Sequence, residues 1–240
     1  NKQPETLNDQ EVASLLSKIG CSLEERIHTT LSLEEIKLLL KLDDRGILLP
    51  CDENYRLDLR NFDLSNIDWR TLKADILKFN LDYANISNAV VDEESLIYIL
   101  KSIASTANLA QIQMSGLDCS GITSYVRSIG ATVVERPVFN NLDMHEMNAT
   151  GASIYSKISN CDISKGNFEG CYFDPEVSFP GTLVAQTNFE GSNVTPKQLV
   201  DAEGVEEIII SNKEEFLNEV KKRREGKEKT KKAAQSNNSS

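Results

Sequence analysis

Histidine and cysteine are the residue types in this chain that could support nucleophilic, acid–base or metal chemistry. The two histidines, His28 and His145, have no metal-ligand neighbours at a workable spacing. His28 falls in a polar helix end, and His145 falls at an outward position of a five-residue repeat. No glycine-rich phosphate loop and no HExxH, GxSxG or CxxC motif occurs. The sequence therefore predicts no catalytic, metal-binding or cofactor-binding residue, and no cofactor.

The cysteines are odd in number and show no CxxC spacing: Cys21, Cys51, Cys119, Cys161 and Cys171. This pattern argues against a disulfide framework or a zinc knuckle and favours free thiols in a reducing compartment. Cys21 and Cys51 lie outside the repeat and are nucleophiles in principle, but the sequence places no histidine beside them. The other three fall on inward repeat positions, where cysteine behaves as a small hydrophobe. We therefore expect no enzymatic activity.

The element that positions most of these residues is a five-residue repeat. It begins at Leu57 as LDLRN, FDLSN and IDWRT. It resumes as ADILK, FNLDY, ANISN, AVVDE; ANLAQ, IQMSG, LDCSG, ITSYV; PVFNN, LDMHE, MNATG, ASIYS; CDISK, GNFEG, CYFDP; and TLVAQ, TNFEG, SNVTP. Of these 21 units, 14 carry Asp or Asn in second place, far more than composition alone gives. A period of five fits neither a helix nor a simple strand. It predicts a four-sided coil in which each unit forms one side and turns one corner.

This geometry assigns a role to each position of the unit. The first residue points inward and is often small, as at Ala74, Ala84, Ala107, Ala152, Cys161 and Cys171. The second, Asp or Asn, stabilises the corner by accepting a backbone hydrogen bond, and the last two face solvent. Successive coils pair at about 4.8 Å, so the units predict roughly five coils. The third residue points to the coil axis: Leu59, Leu64, Trp69, Ile76, Leu81, Ile86, Val91, Leu109, Met114, Phe139, Met144, Ile154, Ile163, Phe168, Phe173, Val184, Phe189 and Val194.

The units FDLSN, ANISN, ANLAQ, CDISK, GNFEG and TNFEG resemble the consensus of the pentapeptide-repeat family, Ala-(Asp/Asn)-Leu-x-x. The resemblance covers about half the chain, from Leu57 to Pro196 with interruptions. It implies a mainly β fold, a right-handed pentapeptide-repeat β-helix. Bulky first residues such as Leu57 and Phe62, register slips and two insertions depart from the family pattern.

The segments around the repeat predict caps. Residues 1–54 are interpreted as a helical cap, with a functional helical domain as the alternative. Residues 55–195 form the β-helix, with a helix inserted at about 92–106 after a cap at Asp92. Residues 196–224 form a C-terminal cap with a T-P-x-Q helix start at Thr195, a strand-like VEEIII and a helix. The basic tail, residues 225–240, is expected to be disordered.

The charge of the chain is distributed unevenly. Residues 221–232 carry +6, which leaves −17 on the rest of a chain whose total is −11. Such an acidic body repels phosphate backbones, so we expect no direct nucleic-acid binding by it. No apolar run approaches the length of a membrane span. The sequons at Asn85, Asn148 and Asn193 are interpreted as a by-product of the repeat.

Three functions remain open at this stage. The leading hypothesis is a non-catalytic protein–protein interaction module, or scaffold, with an unidentified protein partner. The family resemblance adds a context, because such β-helices occur in secreted bacterial effectors that act on host proteins. The protein would then be cytoplasmic or secreted into a host cell. One alternative is a DNA mimic that inhibits a DNA-binding enzyme such as DNA gyrase. The other is a structural spacer in a longer protein.

Overall fold

The computed structural model describes residues 8–114, 116–117, 119, 124–129, 132–137 and 139–237. The chain divides into two compact units, which are described separately. The N-terminal unit comprises Asn1–Asn108, and the C-terminal unit comprises Leu109–Ser240.

The described residues form five α-helices and ten strands, most of which are very short. The helices are α1 Asp9–Ile19, α2 Leu23–Arg26, α3 Leu33–Asp44, α4 Glu93–Ser102 and α5 Lys213–Asn237. The strands are β1 Leu57–Asp58, β2 Phe79–Asn80, β3 Ala107–Asn108, β4 Ser124–Ile129, β5 Thr132–Pro137, β6 Phe139–Asn140, β7 Leu142–Asp143, β8 Ser153–Ile154, β9 Ile158–Ser159 and β10 Tyr172–Phe173. Short 3-10 helices span Trp69–Thr71, Lys73–Lys78 and Val205–Glu207. Because the repeat sides pair mostly through two-residue strands and single bridges, regular strand is scarcer than a mainly β fold implies.

The first helices of the N-terminal unit begin where the sequence predicts caps. Asn8 caps α1 through the Gln10 N–H, and capping boxes of Ser with Glu three residues later start α2 and α3. The apolar sides of these helices are buried at Leu15, Ile19, Ile36, Leu39 and Leu42. Between α2 and α3, Thr30 pairs in parallel with Asp63 of the first coil. This bridge adds one residue pair to the edge of the first coil. The interpretation of residues 1–54 as a cap stays a prediction.

Two turns of the repeat follow in the N-terminal unit. β1 pairs in parallel with β2, and single parallel bridges join Asp63 to Asn85 and Asp68 to Val90. Each pair joins residues about one coil apart in sequence, as a stacked coil requires. The helix predicted after Asp92 is present as α4, with Asp92 accepting from the Ser95 N–H at 2.8 Å.

Helix α4 takes the place of one side of the coil. It packs against the 3-10 helix Lys73–Lys78, and the Ser102 Oγ donates to the Ile76 carbonyl at 2.9 Å. Its end rejoins the ladder, because the Leu81 N–H donates to the Ser102 carbonyl. The unit ADILK was therefore assigned wrongly as an ordinary side: Ala74 is exposed, although Ile76 is buried as predicted. The two extra residues before Ala74 shift the period, and the backbone closes this side as a helical turn.

The C-terminal unit stacks the repeat more regularly. Parallel bridges join Gln113 to Asn148, Asn148 to Asn167, Asn167 to Asn188, and Asn188 to Ile209. A second side is built from Asp143, Asp162, Leu183 and Glu203, paired in the same order. The remaining sides include the parallel pairs β6 with β9 and β8 with β10. The pairing shows four sides that recur once per coil.

The predicted inward positions form the core of the two units. All 18 third-position side chains named from the sequence are buried, each at most 7% exposed. Of the six small first-position residues, all except Ala74 are buried as well. In the C-terminal unit, Phe168 lies 5.5 Å from Phe189 and 5.8 Å from Phe173, measured between ring centroids. Aromatic stacking between coils therefore fills the axis.

Four further repeat units occur that the sequence pattern did not reveal. The first of them shows that the prediction for ASIYS was wrong at its last residue, because Ser156 is buried and begins the next unit. Each buries its first residue and ends on a fifth residue with positive φ: Ser156–Asn160, Val177–Gly181, Val200–Gly204 and Ile208–Asn212. None has Asp or Asn in second place except for Asp201. The missed signal was the Asn or Gly in fifth place, because those residues adopt the left-handed conformation most readily.

Two other segments differ from the expectation for the repeat. The predicted unit ITSYV is not a coil side where it is described, because Ser124–Val126 belong to β4, which pairs antiparallel with β5. Residues 122–123 lie outside the described part. The partner strand β5 covers Thr132–Pro137.

The C-terminal cap also differs from its prediction. Thr195 and Gln198 make the expected contact, with the Thr195 N–H donating to Gln198 Oε1 at 2.9 Å, but only turns follow. The segment VEEIII is a 3-10 turn followed by one bridge at Ile209, not a strand. Residues three apart in a strand point to opposite faces. Val205 and Ile208 are both buried, so the chain turns a corner between them.

The prediction of a disordered tail from residue 225 was wrong. Helix α5 continues without interruption to Asn237, although every residue from Glu225 to Gln235 is exposed. Phe216 and Val220 anchor its first half in the C-terminal unit. Its second half is rich in strong helix formers, and Glu225/Lys229 and Glu228/Lys232 have the spacing that stabilises exposed helices. Composition alone predicted disorder for this segment. The segment is helical because its residues favour a helix and because it continues a helix whose first half is already packed against the C-terminal unit.

Arg26 connects the N-terminal helices to the first coil. Its guanidinium is buried, lies 3.1 Å from Asp58 Oδ2, and stacks over the Phe62 ring at 4.9 Å. It also donates to the carbonyls of Ile19 and Asp58. Removing a partner from such a buried pair leaves an uncompensated charge.

The inward and outward positions can be compared at two adjacent residues. We expect Phe168→Asp to destabilise the C-terminal unit by more than about 4 kcal/mol, because it buries an unpaired charge and removes ring stacking. Glu169→Lys, one position later and exposed, should change stability by less than about 0.5 kcal/mol. Thermal melting by circular dichroism measures both, and equal effects would contradict the assignment of the positions.

The N-terminal unit offers a matched pair of Arg–Asp contacts. Arg26→Ala should cost about 3–5 kcal/mol. Arg70→Ala breaks a pair with Asp68 whose side chains are 52% and 37% exposed, and should cost less than about 1 kcal/mol. Urea unfolding followed by the fluorescence of Trp69, the one tryptophan of the chain, reports on this unit. Similar midpoints for the two variants would show that Arg26 does not hold the helices to the coil.

Candidate interaction surface

The corners of the repeat use many of the Asp and Asn side chains. As predicted, the second residue of a unit accepts the backbone N–H of the fourth through its side-chain oxygen. The distances are 2.8–3.3 Å at Asp58, Asp63, Asp68, Asn80, Asn85, Asp143, Asn148, Asp162, Asn167 and Asn188. These side chains are therefore engaged in turns.

One corner carboxylate shows the electrostatic consequence. Burial works to raise the pKa of Asp63, but hydrogen bonds from Ser65, Thr30 and Asn85 outweigh it and lower the pKa overall. The carboxylate therefore stays ionised and remains a hydrogen-bond acceptor, as its corner role requires.

Two successive sides of the C-terminal unit expose a set of carboxylates. We call the side with Asn148, Asn167 and Asn188 the Asn side, and the preceding side with Asp143 and Asp162 the Asp side. Along the Asn side, Asn188 Nδ2 donates to Asn167 Oδ1 at 3.0 Å. The carboxylates on or beside these two sides, here called the acidic face, are Asp143, Glu146, Asp162, Glu169, Glu190, Glu203 and Glu207.

Neighbouring polar groups hold part of the acidic face in place. Glu146 accepts from Gln111 Nε2 at 2.8 Å and lies 3.8 Å from Lys165, and the Gln111 hydrogen bond lowers its pKa. Glu190 accepts from Ser211 Oγ at 2.5 Å. Glu169 and Glu190 occupy the same place in adjacent coils, because Asn167 pairs with Asn188 two residues before them. Like charges stacked on a fixed ladder create a negative surface suited to a cationic partner.

The two histidines occupy separate and simple environments. His28 is exposed in the turn after α2, where its N–H donates to the Glu25 carbonyl. His145 lies on the Asp side, with Nδ1 2.6 Å from Asp143 Oδ1, and this hydrogen bond raises its pKa. The carboxylate favours the charged ring, so His145 belongs to the surface electrostatics of the acidic face.

The cysteines are poorly suited to nucleophilic chemistry. Burial raises the pKa of Cys161 to about 12 and that of Cys171 to about 11. Cys119 is buried too, and Cys21 donates its thiol to the Lys18 carbonyl at 2.8 Å. Cys51 is exposed, but desolvation and the carboxylates of Asp43, Asp52 and Asp58 raise its pKa. The surroundings of Cys51, Cys161 and Cys171 therefore disfavour the reactive thiolate.

The three sequon asparagines are held in the repeat. Asn85 Nδ2 donates to Asp63 at 3.0 Å, and Asn193 Nδ2 donates to the Phe173 carbonyl at 2.9 Å. Asn148 accepts from both the N–H and the Oγ1 of Thr150. Their amides serve corners and ladders, as expected from the repeat.

The described part of the chain has neither a metal-binding cluster nor a membrane-spanning helix. There, no group of three or more His, Cys, Asp or Glu is arranged to hold a metal ion. No helix in those ranges has the length and apolar character needed to cross a bilayer.

Sequence reasoning missed several exposed apolar side chains. Tyr155 and Tyr172 lie 5.8 Å apart between ring centroids on adjacent coils and are both partly exposed. In the N-terminal unit, Leu48 and Tyr55 are 97% and 93% exposed in the segment after α3. Tyr155 stands in an outward fourth place, which was the available signal, whereas Tyr172 replaces a corner Asp or Asn.

Comparisons with known proteins find only distant structural likenesses to this chain. No family model matches the chain, and no curated protein does. Among solved structures, Rfr23, a pentapeptide repeat protein from the cyanobacterium Cyanothece 51142, is 16% identical with a TM-score of 0.19. The match covers 55% of this chain and only 60% of the cyanobacterial protein. Full-length QnrB1, a plasmid-mediated fluoroquinolone resistance protein, is 13% identical over 70% of this chain and 85% of its own, with a TM-score of 0.20. At such TM-scores these likenesses carry no argument.

Thiol labelling tests the environments of the cysteines. With iodoacetamide at pH 8, we expect Cys51 to react in the folded protein, and Cys161 and Cys171 to react at least about 100-fold more slowly because labelling requires opening of the coil. Peptide mass spectrometry quantifies each site, and labelling in urea is the control. Equal rates for Cys51 and Cys161 in the folded state would contradict the inward assignment of Cys161.

Proposed function

We propose that this chain is a pentapeptide-repeat protein whose coils form a right-handed β-helix, and that it acts as a non-catalytic protein–protein interaction module. The acidic face of the C-terminal unit is its recognition surface. The partner presents Lys and Arg side chains to it, because a negative surface steers and orients cationic partners.

The observation that supports this proposal most strongly is that each position of the repeat unit has a separate structural role. Third-position side chains fill the coil, and second-position side chains are engaged in corner turns. The outward residues of each unit are therefore available to contact a partner, and the hydrogen-bonded ladder holds them in fixed positions. A rigid array of exposed side chains lowers the entropic cost of binding a partner.

Two finer parts of the proposal come from the family resemblance alone. They are action as a secreted bacterial effector on host proteins and residence in the cytoplasm of either cell. A role as a spacer in a longer protein would need no recognition surface, and the regular stack of Glu169 and Glu190 favours the binding module over it.

A DNA mimic is the second candidate, favoured by the −17 charge outside residues 221–232. Stacked carboxylates on a rigid coil imitate the repeating negative charge of a duplex. Dose-dependent inhibition in a DNA gyrase supercoiling assay would support this candidate against the scaffold. An inactive Glu169→Lys/Glu190→Lys variant would locate the effect on the acidic face.

The interaction module is tested by charge reversal with a matched control. Crosslinked partners captured from candidate host lysate are quantified for the full chain, for Glu169→Lys/Glu190→Lys, and for Glu24→Lys/Glu53→Lys, which makes the same charge change at exposed sites of the N-terminal unit. We expect the specific capture of the first variant to fall about 5- to 30-fold, since two charge contacts at a rim are worth about 1–2 kcal/mol. Equal losses for both variants, with unchanged melting temperatures, would contradict recognition by the acidic face.

A further inference from the structure

The backbone ladder of the Asn side follows one rule through the C-terminal unit. The N–H of each third residue donates to the second-residue carbonyl of the next coil: Ala149 to Asn167, Phe168 to Asn188, and Phe189 to Ile209, all at 2.8 Å. In return, each second-residue N–H donates to a first-residue carbonyl of the coil before it. Examples are Asn188 to Gly166 and Ile209 to Thr187, both at 2.9 Å.

The last coil of this side, Ile208–Asn212, has no following coil with which to pair. By the same rule, the Ile210 N–H and the Ile208 carbonyl should pair with a following coil, but the chain leaves the ladder and enters α5 at Lys213. Within the described residues, neither group has a hydrogen-bond partner. The ladder therefore ends in an open strand edge.

Another part of the same end is closed by α5. Arg224 donates from Nε to the Val200 carbonyl at 2.9 Å and from Nη2 to the Ala202 carbonyl at 2.6 Å. Lys227 pairs with Asp201 beside them. Arg224 thus satisfies the carbonyls of Val200 and Ala202, whereas no described side chain of α5 pairs with the backbone groups of Ile208 and Ile210. Exposed strand edges of this kind tend to pair with another chain.

Ile210 of the open edge lines a groove between the last coil and the first half of α5. The groove has a volume of about 870 Å³, and its apolar lining includes Phe189, Val194, Pro196, Ile210 and Phe216. Ile209, in a place where the other coils of this side carry Gln or Asn, is 50% exposed. Apolar side chains beside unpaired backbone groups are what an added β-strand requires.

We propose that this groove binds an extended segment of a partner protein, which pairs with the Ile210 N–H and the Ile208 carbonyl as one more coil side. An apolar side chain of the segment would lie over Ile210 and against Phe216. A helix could not satisfy the two open groups, because its own backbone groups are already paired. This inference rests on the proposed role in protein binding and adds a second site away from the acidic face.

A second copy of this chain is the competing occupant of the edge. The α5 rim of the groove carries both signs of charge, with Glu215 and Glu219 beside Lys222 and Arg223. Arg223 also pairs with Glu219 at 3.0 Å, so charge does not distinguish a copy from a partner segment. Pairing between copies is therefore an outcome that the experiment must separate.

Amide hydrogen exchange on the full chain tests the edge directly. In the free protein, we expect the Ile210 amide to exchange at least about 100-fold faster than the equivalent amides of Phe168 and Phe189. A random 12-residue peptide library displayed on phage supplies the probe, selected on the full chain and counter-selected on Ile210→Pro, which lacks the N–H. An enriched synthetic peptide should then protect the Ile210 amide.

The variants provide matched controls. Binding of the peptide should fall about tenfold or more in Ile210→Pro and stay within about twofold in Ile210→Val, which keeps the N–H. The exchange measurement uses the unmodified chain, so it decides the question even if Ile210→Pro is destabilised. Three results would overturn the inference: an Ile210 amide as protected as Phe189 at every concentration, protection that appears only with dimer formation, or no enriched peptide that protects it. None of these results bears on capture by the acidic face.

Discussion

Each backbone N–H group of a five-residue unit needs an acceptor, because an unpaired buried donor costs as much as a lost hydrogen bond. The unit Gly166–Gly170 meets this requirement in full. Gly166 donates to Ile163, Asn167 to Met147, Phe168 to Asn188 and Gly170 to Glu190, all carbonyls. The Glu169 N–H donates to the side chain of Asn167. The ladder between coils uses three of the five donors, and a turn to the preceding unit uses the fourth. The second-place Asp or Asn supplies the acceptor for the remaining one. The positions of the core, the corners and the outward residues follow from that arrangement.

The same constraint explains which features could be predicted from the sequence. Asp or Asn in second place marked most coil sides, and the third-place side chains were all placed correctly in the core. Some sides without that residue were missed, such as Ser156–Asn160 and Val177–Gly181, which fill the core and turn the corner without it. The replacement of one side by α4 was not predictable, since a helix of that length equally suits the outside of a coil. The Arg26–Asp58 pair joins residues far apart in sequence, and no local pattern indicates it.

For function, the charge and the outward positions could be predicted from the sequence, but their arrangement could not. Periodicity placed Glu169 outside, yet the alignment of Glu169 with Glu190 depends on the register between coils. The open edge at Ile208 was hidden for a different reason. Its three isoleucines suggested an ordinary strand, and only the end of the ladder shows that two backbone groups are left unpaired. Helix α5 explains why the edge persists, since it covers one part of the coil end and stands away from another.

The most direct test of the coil is the five-residue period of amide protection between residues 144 and 170. Exchange measured by NMR should show slow second, third and fifth amides in each unit, with the fourth faster because a side chain accepts its hydrogen bond. Replacing Asn167 with Ala should then speed exchange at Glu169 while Phe168 stays protected. Protection that follows a helical period, or that is unchanged at Glu169 in the variant, would contradict the account.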